Sequence, residues 1–159
     1  MRRGPRAAAV AGVLSGAPST LHALATGGDV LAATRAAGTL LPGGRPGTAR
    51  GAVAHVVLTA GWTAVLAAVH GRRPFGALGG AAAGLAIAVL DLEVVGRRYP
   101  AVRALPRWPQ YADHLAFGAL VGVLLRRGWS RSPRNERSGG CPLLSGRVCG
   151  LSLTAGQSS

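Results

Sequence analysis

The chain has 159 residues, about one domain, and is 48% hydrophobic but only 4% aromatic, with 25 glycines. That mixture disfavours a bulky soluble core and suits helices whose backbones approach closely. The net charge of +13 comes from 18 basic residues, all of them Arg. These flank apolar segments and accompany no aromatic nucleic-acid motif or zinc-finger spacing, so nucleic acid is not an expected partner.

Four apolar stretches read as membrane-spanning helices, at residues 7–25, 51–70, 75–95 and 109–127. The first is the least apolar, since it carries Pro18, His22 and several hydroxyls. A rival reading makes it a secretory signal cleaved after Ala25, with a basic start and an Ala-Leu-Ala site. Between the first two spans, Asp29 is placed to cap a short interfacial helix over 29–41, with Arg35 reaching to water. The breaker 42-PGGRPG-47 follows it. The second span has the length to cross about 30 Å of hydrocarbon, and the third is apolar on every face as far as Leu90. The fourth continues outward through Pro109, which a first turn tolerates.

From residue 128 onward the chain is rich in Ser, Gly and Arg and reads as a disordered tail. Cys141 and Cys149 lie there, at a spacing that matches no metal or redox motif. The expected fold is therefore all-α, a polytopic membrane protein built as an antiparallel four-helix transmembrane bundle. A soluble helical bundle is the rival. More of the arginines fall on the side holding both termini, which points to both termini in the cytoplasm. The lipid bilayer is the primary partner, with a second copy or another membrane protein as further candidates.

An up-and-down topology puts four ionisable groups at one depth. His22, His55, Asp91 and His114 each lie three or four residues inside a span, about 5–6 Å from the same boundary at 1.5 Å per residue. They also continue packing faces. Gly76, Gly80 and Gly84 form an i, i+4 stripe, and Asp91 falls about 20° from Gly84. His114, Gly118 and Gly122 form another, and His55 aligns with Thr59 and Thr63. Stripes of small residues mark helix contacts in membranes. Glu93 points the other way and is placed to pair with Arg97 at i+4. Asp113 is placed to cap the fourth helix, and His70 has no assigned role.

Three uses of the layer are open: hydrogen bonds that fix packing, a proton or ion path, or a divalent metal held by three imidazoles and a carboxylate. The metal lacks an HxxxH or HExxH spacing, and no cofactor is expected. No nucleophile elbow, Walker motif or dinucleotide loop is present, so enzymatic activity is not indicated.

The elements 16-GAPSTLHAL-24, His55, Asp91 and 105-LPRWPQYADHLAFG-118 resemble a group of uncharacterised small polytopic membrane proteins of high-GC bacteria. The resemblance covers residues 7–127. It implies an inner-membrane protein of about four helices, with no known activity and no site residue to carry over. The expected function is a structural or partner-binding membrane module, with a small transporter or proton or ion conduit as the alternative.

Overall fold

A computed structural model describes residues 3–129; the expected tail from residue 130 onward and both cysteines lie outside them, while its first two residues, 128 and 129, belong to the last helix. Every regular element among the described residues is helical. The stretch read as the first span is two helices, α1 (Arg3–Leu14) and α2 (Ala17–Thr26). Pro18 is the reason. It lacks the N–H that would bond the Leu14 carbonyl, and its ring collides with that carbonyl, so the helix is interrupted here. Placed in the first turn of α2, the same ring is harmless. α2 ends at Gly27, whose φ of +66° is open to glycine, and the Gly28 N–H bonds back to the Ala23 carbonyl at 2.7 Å.

The short helix α3 (Ala32–Ala37) continues into a 3-10 turn over Gly38–Leu40. Asp29 accepts the Leu31 N–H at 2.9 Å. Arg35, its side chain still 41% exposed, forms an ion pair with Asp29, and α3 lies against the start of the next helix. That helix, α4 (Thr48–Arg72), runs 25 residues. α5 (Ala77–Ala88) passes directly into a π-helical segment, Val89–Val95, and a 3-10 turn, Gly96–Arg98. α6 (Pro100–Arg103) is a single turn begun by proline, and α7 (Arg107–Trp129) closes the described chain.

Two helices among the described residues are long and apolar enough to cross a membrane, Thr48–Arg72 and Ala77–Arg98. α1 and α2 are each too short alone, and the first half of α7 carries Arg107, Gln110, Asp113 and His114. The apolar windows of the two long helices are only 17% and 28% buried. Val56 and Val57 on α4, Leu78 on α5 and Val94 in the π-helical segment are exposed.

The tightest contact joins α5 to α7 through glycine. A Cβ at Gly80 would overlap the Gly118 carbonyl oxygen, and one at Gly84 the His114 carbonyl oxygen. One at Gly122 would stand 2.5 Å from the Gly76 carbonyl oxygen. Numbers rise along α5 as they fall along α7, so the two run antiparallel with backbones touching. Ala11, Leu66, Ile87, Phe117 and Val121 form a core among the long helices. A second cluster, Ala36, Ala88, Leu92 and Val102, fastens α3 and α6 where α4 begins and α5 ends.

Candidate functional site

Asp91 lies in the π-helical segment, where the Gly96 N–H bonds to its carbonyl in place of the ordinary α-helical partner. Such segments are rare and frequent at functional sites. Its carboxylate joins three helices. Asp91 Oδ2 accepts the Trp62 indole N–H from α4 at 3.0 Å and stands 3.5 Å from His114 Nε2 on α7. Both acidic and imidazole side chains are largely buried. His114 Nδ1 stands 2.8 Å from the Gln110 carbonyl oxygen. A carbonyl only accepts, so Nδ1 carries a proton, and Nε2 bonds to the carboxylate when a second proton lies between them.

The break between α1 and α2 is stitched from both sides. His55 Nε2 donates to the Gly12 carbonyl at 3.0 Å, satisfying an acceptor in the last turn of α1. Asp113 Oδ1 accepts the Ser19 N–H at 2.9 Å, satisfying a donor in the first turn of α2. The polarity matches each end: a donor meets the carbonyls and a carboxylate meets the amides. Asp113 therefore caps α2, and not its own helix as expected. Its neighbour in sequence, His114, serves a different helix.

The four expected layer residues are not one cluster. Asp91 and His114 meet, and with His55 they line a partly open cavity of about 420 Å³. His22 is not among its walls; its ring packs edge-on against Trp108 at 4.7 Å between centroids. Among the described residues no three His, Cys, Asp or Glu side chains converge as metal ligands. The three imidazoles and the carboxylate therefore do not converge: His22 packs on Trp108, His55 meets the Gly12 carbonyl, and only His114 meets Asp91.

Glu93 does pair with Arg97, at 3.3 Å, and its other oxygen receives the Arg107 guanidinium at 3.2 Å and the Tyr111 hydroxyl at 3.1 Å. Arg107 also donates to the Leu92 carbonyl, so this network ties the end of the π segment to the start of α7. His70 has a place in the α4–α5 turn: its Nδ1 accepts the Phe75 N–H at 3.3 Å and its ring packs edge-on to Phe75.

Two residues of the site, Trp62 and Asp113, carried signals that pattern reading passed over. Trp62 is seven residues beyond His55, on the face that His55 shares with Thr59. Asp113 is an acid in an apolar helix, and the proline break at Pro18 creates amides in need of an acceptor.

No family model, no curated protein and no solved structure matches the chain.

Proposed function

We propose that the chain is an integral membrane module of the bacterial cytoplasmic membrane, with four membrane passes, in which polar side chains lock a glycine-packed bundle. α1 and α2 together make the first pass, followed by α4, α5 with its π segment, and α7. Both termini lie in the cytoplasm on the arginine distribution. The exposed apolar faces of α4 and α5 support the membrane: the core helix of a soluble protein is mostly buried, and these are not. Lipid, a second copy or a partner helix covers them.

The observation that carries the packing role is the three-helix clamp Trp62–Asp91–His114. Interhelical hydrogen bonds in membranes contribute about 0.6 kcal/mol each, so the clamp is worth about 1 kcal/mol. Asp91→Ala removes both bonds. Asp91→Asn keeps an acceptor oxygen for Trp62, but His114 meets that same position and loses its carboxylate partner. The expected result is a loss of about 1 kcal/mol for the alanine variant and about half of that for the asparagine variant, read by denaturant titration in detergent. Equal stability of Asp91→Ala and the parent protein would sink the packing role.

One observation favours a second reading, a small transporter or proton or ion conduit. The polar groups line a cavity beside a broken helix, as substrate sites in transporters do. Under this reading Asp91→Asn abolishes flux in reconstituted vesicles while the fold persists. Absence of flux in the parent protein removes it.

A further inference from the structure

The chain carries 18 arginines, yet none of those among the described residues lines the cavity beside the helix break. Two carboxylates do, Asp91 and Asp113, contributed by different helices. The cationic side chains of a protein of net charge +13 stay away from these acids, whose titratable neighbours in the cavity wall are the imidazoles of His55 and His114, so at a pH where those are neutral the cavity is less positive than the molecule around it. The remaining walls are mostly apolar, with the rings of Trp62, Tyr99 and Phe117 among them. Aromatic rings attract ammonium groups through their quadrupoles, and they do so better when water is excluded. The volume of about 420 Å³ lies in the range that holds a small organic molecule and far exceeds a bare metal ion.

We propose that this cavity binds a small organic cation, an amine or quaternary ammonium with an apolar body, between Asp91 and Asp113. The ammonium group lies towards the two carboxylates and the apolar body packs on the aromatic walls. The hydroxyls of Ser15, Ser19 and Thr59 and the Gln110 amide oxygen, also in the cavity wall, give an amine's N–H groups further acceptors. The acids keep their structural partners when the cation is bound. Asp113 uses Oδ1 for Ser19 and Asp91 uses Oδ2 for Trp62 and His114, so each has a second oxygen to offer. The site goes beyond the packing role and does not depend on it: a clamp without a ligand and a clamp with one have the same hydrogen bonds.

The test uses the full chain purified in lipid nanodiscs at pH 8, with benzyltrimethylammonium as probe and phenylmethanesulfonate as an anion of similar size. Binding is measured by titration calorimetry against empty nanodiscs. A protein of this net charge attracts anions non-specifically, so preference for the cation has to come from the cavity. The expected result is cation binding at least about tenfold tighter than anion binding. Asp91→Asn and Asp113→Asn retain acceptor oxygens for Trp62 and Ser19, and each is expected to weaken cation binding by about tenfold or more with the helical spectrum unchanged. Equal or tighter binding of the anion overturns the proposal, as does parental affinity in both folded variants. Should the variants fail to fold, the cation-to-anion ratio of the parent protein decides alone. Thermal stability of the same samples reports the clamp separately.

Discussion

Substituting Gly84 by alanine tests whether the close α5–α7 approach positions the site. A Cβ there would overlap the His114 carbonyl oxygen, stand 3.0 Å from the carbonyl carbon and 3.3 Å from Gly118 Cα. Carbon atoms pack at about 3.5–4.0 Å, so the two helices have to separate by roughly 1 Å. Such overpacking costs about 1–3 kcal/mol, while alanine gains about 1 kcal/mol over glycine in helix propensity. The two effects oppose, and the net loss reaches about 2 kcal/mol. Gly61, exposed on α4 with nothing within 4 Å of its added Cβ, is the matched control. There the propensity gain acts alone, so Gly61→Ala is expected to stabilise by up to about 1 kcal/mol. Denaturant titration in mild detergent, followed by far-ultraviolet circular dichroism, compares the two. The separation also acts on the clamp: His114 Nε2 and Asp91 Oδ2 are already 3.5 Å apart, and a further ångström ends the contact. Equal shifts in Gly84→Ala and Gly61→Ala would refute the claim that backbone contact holds α5 to α7.

Two further outcomes follow from the hydrogen bonding. Asp113→Ala removes the cap of α2 and is expected to cost about 1–2 kcal/mol, with faster amide exchange confined to the first turn of α2; protection unchanged at Ser19 would contradict the capping role. Thr63 is 3% exposed and its hydroxyl has no hydrogen-bond partner among the described residues. Thr63→Val is therefore expected to be neutral or stabilising by about 1 kcal/mol in the same titration, and a loss larger than that would mean the hydroxyl is satisfied.

How far the sequence could be read depends on the range of the interaction involved. The helical class and the long apolar helices follow from local composition, and the spacing of Gly76, Gly80, Gly84, Gly118 and Gly122 is a helical period visible in one dimension. The α5–α7 contact is legible for that reason: glycine every fourth residue on two helices leaves little else for them to do. Pro18 was equally visible, but a proline in an apolar run is compatible with either a kink or a stop, and only the neighbours that satisfy the freed backbone groups decide between them. His55 and Asp113 are those neighbours, 43 and 94 residues away from their partners in sequence. Depth counting places His22 beside Asp91 because it assumes a straight first span. With the helix broken at Gly16, His22 turns to Trp108 instead. The π segment at Val89–Val95 has no local sequence signal, since Val, Leu, Asp and Glu are as compatible with an ordinary helix. Even so, Asp91 still meets His114 and Glu93 still pairs with Arg97.

In the proposed membrane reading, α4 and α5 present their exposed apolar faces to lipid while Trp62, Asp91 and His114 meet inside. Alkaline carbonate extraction of native membranes, followed with an antibody against the full chain, tests this arrangement. The protein is expected to stay in the membrane pellet and to be released only by detergent. Release into the carbonate supernatant, as for a soluble or peripheral protein, would contradict it.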